Sequence, residues 1–205
     1  MPYLHALEDL DYTDYSGGRV LYSQPGQTAL PVRLASEILQ RCLAIRTRAG
    51  LAGPCTLHDP CCGGAYHLTA LGFLHGRHIA AITASDISQE ALDLAGRNLS
   101  LLTLAGLDRR IAEITGYVDL YGKLSHRAAL LSAQKLRRDL SEMLAARPMP
   151  VHLFQADAFN RQAIQVGLAG QTIDLVISDV PYGWKSSWAH PSEPCEGSKP
   201  SQGLQ

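Results

Sequence analysis

The chain is short of charge, of aromatic residues and of any imbalance between the signs. Charged residues make up 18% of its 205 residues and aromatics 6%, while 46% are hydrophobic. An average soluble protein is roughly 25% charged, so wholesale disorder is excluded and a globular fold with a sizeable core is expected. Lys and Arg number 18 and Asp and Glu 19, leaving a formal net charge of -1. No whole-chain basic excess announces a nucleic-acid partner, so any such footprint must be local. No apolar run approaches the roughly 18 residues of a membrane span, and the acidic opening MPYLHALEDLDYTDY lacks the basic flank and apolar stretch of a signal peptide. Neither a membrane location nor secretion is expected. The five cysteines are odd in number, and Cys61 and Cys62 are adjacent rather than spaced as CxxC. That supports neither a disulfide framework nor a metal site, and it fits a reducing cytoplasm.

What is present is an alternation of strands and helices. The first 50 residues read as an N-terminal extension, with a short strand at Arg19–Tyr22, a turn at Gln24-Pro25-Gly26 and a helix over about 31–45. On that helix Val32, Ala35, Ile38, Leu39 and Cys42 share one face, with Arg33, Glu37, Gln40 and Arg41 largely opposite. Residues 51–184 read as the core. Strands are predicted at 55–58, 78–84, 151–155 and 173–177, with helices at about 65–74, 89–103 and 161–169 between them. Strands joined by helical crossovers imply a parallel sheet of α/β class, whose ligands bind beyond the strand carboxyl ends. The segment 104–149 is too long for a loop and reads as a helical insertion, with helices at about 109–114 and 127–144. Between Arg109 and Met149 the cations Arg109, Arg110, Lys123, Arg127, Lys135, Arg137, Arg138 and Arg147 outnumber Glu113, Asp119, Asp139 and Glu142 by four. This is the local basic footprint, and an ordinary solvated helix face explains it as well. The Ser-, Pro- and Gly-rich tail 185–205 is expected to be disordered.

All four predicted strands deliver an acid at or just past the carboxyl end: Asp59, Asp86, Asp157 and Asp179. Asp59-Pro60-Cys61-Cys62-Gly63-Gly64-Ala65 is a strand-to-helix turn of small residues, suited to close approach by a cofactor. It is no dinucleotide fingerprint, because the run from Gly63 is Gly-Gly-Ala-Tyr-His-Leu. Asp86 stands where a carboxylate accepts from ribose hydroxyls, or else Ser85-Asp86 opens the next helix as a cap. Asp157 can accept from an adenine amino group or simply form an Asx turn before Phe159. Asp179-Val180-Pro181-Tyr182-Gly183 is the most specific element. A carboxylate and a backbone carbonyl accepting from an exocyclic amino group would relocalise its lone pair, the proline fixes the carbonyl, and the tyrosine offers a stacking face to a base that has left its own stack. A plain turn after a buried strand is the alternative.

The order DPCCGG, SD, AD and SDVPYG resembles class I S-adenosylmethionine-dependent methyltransferases that act on nucleic-acid bases. More closely, YTDYSGGRVLYSQPGQTALPVRLASEI, DPCCGGAYHLTALGFLH and DLVISDVPYG together resemble the avilamycin-resistance 23S ribosomal RNA methyltransferase family of actinomycetes, over nearly everything from Tyr3 to about Trp188. The resemblance implies a Rossmann-like methyltransferase core and S-adenosylmethionine held by Asp59, Cys61, Gly63, Asp86 and Asp157. It implies catalysis through Asp179, Pro181 and Tyr182, and a 23S rRNA guanine gripped by Arg127, Arg137 and Arg138. Antibiotic resistance would be the outcome and a cytoplasmic monomer the form. Two departures carry expectations of their own. Where the family has Gly-Ser-Gly, Gly63-Gly64-Ala65 is expected to set a methyl group near the methionine end of the cofactor. The family continues past the tyrosine motif with the last three of seven strands, so a sheet ordered 3-2-1-4 with its fourth strand as an open edge is expected here. A DNA adenine methyltransferase, or an inactive RNA-binding remnant, stays open as an alternative.

Overall fold

The structure is a computed structural model and describes residues 3–7, 10–24 and 30–180. Pro181, Tyr182 and the tail 185–205 lie outside the described residues. Among the described residues, two short 3-10 turns aside, the α-helices and strands follow in order: α1 (Val32–Arg48), β1 (Cys55–Asp59), α2 (Tyr66–His75), β2 (Ile79–Asp86), α3 (Gln89–Ser100), α4 (Leu104–Tyr121), α5 (Leu124–Ala146), β3 (Val151–Gln155), α6 (Arg161–Gly167) and β4 (Leu175–Val176).

The four strands form one parallel sheet in the order β3-β2-β1-β4. Leu57 of β1 pairs with Ile82 of β2 on one side and Leu175 of β4 on the other. Leu57 and Ile82 are completely buried. The chain steps one way from β1 to β3 and then returns to the far side of β1, which creates a switch point between β1 and β4 at the carboxyl ends. β4 has two residues in the ladder, and Val176 on this edge is exposed.

The helices bury the stripes that their spacing allows. In α5, Ala129, Ala133, Leu136 and Leu140 recur at helical spacing and are buried; in α4, Leu107 and Ile114 are. The buried Arg110 shares the α4 stripe, with Nε donating to the Val20 carbonyl at 2.8 Å and Nη1 to Glu113 at 2.9 Å. Both insertion helices are longer than the sequence suggested, because the glycine-ended turn at Gly122 (φ 63°) is compact and the helices pack directly on each other. The corner between α3 and α4 is tight enough that a Cβ on Gly106 would lie 1.9 Å from the Ser100 carbonyl oxygen.

Two local expectations are corrected. Arg19–Tyr22 is not a strand but a bent, irregular segment. Its Val20 and Leu21 are fully buried, and its backbone is bonded by the side chains of Asn98 and Arg110 rather than by a neighbouring strand. Glu37 does not face solvent with the polar side of α1. Its carboxylate is buried and accepts from the backbone N–H groups of Leu4, His5 and Ala6 and from Arg41. The extension is therefore held to itself by Glu37 and to the core by the side chains of Asn98 and Arg110, which a hydrophobic period cannot reveal.

Candidate functional site

The turn after β1 brings its functional groups together by backbone constraint. Gly63 sits at φ 50° with open space where a Cβ would stand, and Ala65 follows in the left-handed region at φ 52°. Asp59, with no exposed surface, accepts from the Cys61 N–H through Oδ1 at 3.0 Å. Its Oδ2 lies 3.1 Å from Nε2 of the buried His67 on α2, yet neither atom completes a hydrogen bond. A buried carboxylate oxygen left this way retains acceptor capacity for a ligand. His67 was not singled out from the sequence. Its only signal was its place in the first turn after the small-residue loop.

Asp86, at the end of β2, closes the same turn. Oδ2 accepts from the Gly63 N–H at 2.8 Å and Oδ1 from the Ser88 N–H at 2.9 Å. The cap of α3 is Ser88, whose hydroxyl accepts from Ala91, so the alternative in which Ser85-Asp86 caps that helix is corrected. Asp157, beyond β3, makes the Asx turn to Phe159 at 2.9 Å, and Asn160 caps α6. Asp179 follows Ile177, whose N–H donates to the His58 carbonyl and extends the pairing of β4 with β1. Among the described residues the Asp179 carboxylate is engaged in no hydrogen bond or ion pair.

Cys61 reports how closely these groups converge. Burial above all, then the charges of Asp59 and Asp86 and more weakly Asp157, push its thiol up to about 11, against the pull of the nearby Ser178 hydroxyl. Burial and the same two carboxylates raise Cys62 further. Neither cysteine is a thiolate at neutral pH, so covalent attack on a base is disfavoured and the chemistry open to this rim is positioning and proton acceptance. Ala65 does not project where the sequence suggested. It is completely buried in the hydrophobic core, which leaves the open space over Gly63 free.

Asn98 was also missed, and nothing in the amphipathic pattern of α3 marked it. Completely buried, it accepts from the Tyr22 N–H at 2.8 Å and donates to the carbonyls of Tyr22 at 3.1 Å and Gly64 at 2.8 Å. It thus joins the N-terminal extension to the cofactor-type turn.

The basic surplus of the insertion is partly internal. Lys135 pairs with Asp14 at 2.7 Å, Arg137 with Asp108 (Nη2 to Oδ2 3.2 Å), and Arg147 donates to the carbonyls of Gly76 and Ile79. Arg127 and Arg138 are exposed and, among the described residues, make no ion pair. No helix among the described residues is long and apolar enough to cross a membrane.

Comparisons with known proteins speak to the family and the fold. A family model described as rRNA methyltransferase AviRa matches residues 1–198. The chain is 43% identical over 197 residues to the 23S rRNA (guanine(2535)-N(1))-methyltransferase of Streptomyces viridochromogenes, covering 95% of this chain and 77% of that protein. Two solved structures of the rRNA methyltransferase AviRa from the same organism superpose with TM-scores of 0.84 and 0.83, at 42% and 43% identity. They cover 92% and 89% of this chain and 74% and 72% of theirs. A family model over nearly the whole chain, 43% identity to a curated rRNA methyltransferase and the matching superpositions agree on one kind of enzyme, and the chain belongs to the AviRa family of rRNA methyltransferases, transferases of the class I methyltransferase fold.

Proposed function

We propose that this chain methylates a guanine of 23S ribosomal RNA with S-adenosylmethionine as donor, and so protects ribosomes from orthosomycin-type antibiotics such as avilamycin. The observation that carries the reading is the latch of Asp86 on the Gly63 N–H beneath open space, with Asp59 and Asp157 at the neighbouring strand ends. These residues fit the proposed cofactor. The open face of Gly63 would admit the methionine end, the buried Asp59 Oδ2 retains acceptor capacity, and Asp86 and Asp157 stand at the ends of the neighbouring strands β2 and β3, where they would hold ribose and adenine. When bound, S-adenosylmethionine supplies an electrophilic methyl group. We assign residues 51–184 to the catalytic core, 1–50 to an extension and 104–149 to a helical insertion; Arg127, Arg137 and Arg138 are its phosphate contacts, with Arg137 held by Asp108. The protein works as a monomer in the cytoplasm.

The named relative methylates a ring nitrogen, and this changes the task of Asp179. Guanine N1 carries a proton and has no free lone pair until that proton leaves. A carboxylate with no partner among the described residues is suited to accept it, and the carbonyl beside Pro181 and the ring of Tyr182 would hold and stack the flipped base. Amino-group activation of the kind first read from the motif is then unnecessary.

The test is methyl transfer from labelled S-adenosylmethionine to a 23S rRNA transcript, followed by primer extension, because a methyl on N1 blocks Watson–Crick pairing and halts the polymerase. Wild-type protein should give one strong stop, and Asp179→Ala should abolish it while leaving cofactor affinity within about threefold. Incorporation that survives ribonuclease, or that is confined to DNA, would refute the substrate. The absence of cofactor binding in a calorimetric titration would refute the activity altogether.

A further inference from the structure

The turn between α4 and α5 presents a group of rings that the catalytic rim does not use. Tyr117 is 44% exposed, Tyr121 57%, and the neighbouring Leu120 and Leu124 are 70% and 80% exposed. The cluster is preordered. His126 packs its ring 5.8 Å from Tyr117 and 5.7 Å from Tyr121, and its Nδ1 lies 3.1 Å from the Tyr117 carbonyl oxygen. Lys123 lies over the Tyr121 ring, 5.8 Å from its centre.

Beside these rings a groove of about 460 Å³ runs between the N-terminal segment Ser16–Arg19 and the two helices. Its lining contains Tyr117 and His126, the cations Arg19 and Arg110, and no carboxylate. The groove is linked to the cofactor-type turn through Tyr66, the first residue of α2: a Cβ at Gly17 would lie 3.7 Å from its ring, and its hydroxyl donates to the Tyr15 carbonyl.

We infer that this groove and the rings at its mouth are a docking site for an unpaired stretch of RNA, separate from the pocket for the methylated base. The inference rests on the RNA-directed reading above and names where that substrate is held. Exposed rings give bases a surface for stacking, and the exposed Lys123 and Arg127 beside them, which make no ion pair among the described residues, suit phosphates, whereas Arg110 in the groove wall is committed to Glu113. A duplex presents its bases edge-on and stacked, so it gains nothing from the rings. Exposed Lys123 and Arg127 beside the rings favour a polyanion over a second apolar protein surface.

The experiment measures binding by the full chain to a labelled single strand of about twelve nucleotides, a length within the usual range of such sites. The matched duplex and the 23S rRNA transcript are measured alongside. Tyr117→Ala combined with Tyr121→Ala should weaken single-strand binding by about tenfold or more, leave the duplex and the salt slope unchanged, and keep cofactor affinity. The paired Phe substitutions should retain binding. Lys123→Gln with Arg127→Gln should instead lower the salt slope by about 0.7 per charge. Single-strand affinity untouched by the double Ala change, or an equal loss on duplex, would overturn the inference. So would sedimentation showing a wild-type dimer that the Ala changes dissociate, since the patch would then be a self-interface. Wild-type binding without methyl transfer counts against the proposed function and not against the groove, whereas methyl transfer with unaltered single-strand binding in the double Ala variant counts against the groove alone.

Discussion

Asp86→Asn isolates the latch of the cofactor-type turn. In the wild type the two carboxylate oxygens accept from different backbone donors, the Gly63 N–H at 2.8 Å and the Ser88 N–H at 2.9 Å. An amide of the same shape has one oxygen, so whichever rotamer it adopts, its NH2 group confronts the other N–H. The oxygen should stay with Gly63, whose donor is the more buried, because water can reach Ser88 in its exposed turn. One bond to a charged acceptor, about 1.5 to 3 kcal/mol, is lost, and water recovers part of it, leaving a net stability cost of about 1 to 2 kcal/mol. For a chain of this size that is a fall in Tm of about 2 to 8 °C. Cofactor affinity should fall separately, because a neutral amide is a poorer acceptor for ribose hydroxyls; the same range per bond corresponds to about 10- to 150-fold. Asp86→Ala, which removes both acceptors, should exceed Asn on both readouts. Thermal unfolding and calorimetric titration with S-adenosylhomocysteine measure the two effects independently. Wild-type Tm and wild-type affinity in Asp86→Asn would refute the latch, and a lowered Tm with unchanged affinity would confine Asp86 to loop structure.

Gly106→Ala should cost about 3 kcal/mol or more in chemical denaturation, because the new Cβ meets the Ser100 backbone, whereas Gly116→Ala, facing open space within α4, should gain about 0.5 to 1 kcal/mol. Burial, with His78 assisting, holds the His75 ring down to about 4, and its Nε2 lies 2.8 Å from the Ser36 hydroxyl. Between about pH 6.5 and 4 the unfolded chain therefore binds a proton that the folded one refuses, stability falls as pH falls, and His75→Gln should flatten that part of the profile. Burial works against Glu37, but three backbone N–H donors and Arg41 hold it down to about 2, so a second loss is expected as pH falls from about 4.5 to 2, and Glu37→Gln should remove it. Ala65→Gly should change stability by less than about 1 kcal/mol, because relief of the left-handed conformation offsets the lost buried methyl and the added chain entropy, and it should leave cofactor affinity unaltered.

The sheet was legible because its information is local and repeated. Each strand is a short apolar run with an acid at or just past its end, and each crossover is helical, so the parallel sheet and β3 at Val151–Gln155 follow from the pattern, while the strand order follows from the family resemblance. The failures cluster where polar side chains replace pattern. Arg19–Tyr22 alternates much as a strand does, but its backbone partners are Asn98 and Arg110, some 76 to 91 residues distant. Tyr22 completes the arrangement with the Arg97 and Arg110 guanidiniums 3.9 and 4.3 Å from its ring centre. No one-dimensional period encodes such a clamp.

The same distinction runs through the candidate site. Residue type and position at a strand end were enough to place Asp59, Asp86 and Asp157 on one rim, because a parallel sheet puts every strand's carboxyl end there. What each acid does depends on which groups the fold aims at it: the Gly63 N–H donates to Asp86 from another turn, whereas Asp59 accepts from the Cys61 N–H and keeps its other oxygen unbonded beside the His67 ring. The insertion shows the limit most plainly, since eight cations in sequence look alike while the fold commits several of them internally, Arg110 to Val20 and Glu113, Lys135 to Asp14, Arg137 to Asp108. A phosphate can be gripped at least cost by a cation that need not break such a pair. By that criterion Arg127 and Arg138 outrank Arg137, and reversal of Arg137 to Glu should register first as loss of the α4–α5 contact at Asp108 rather than as loss of RNA.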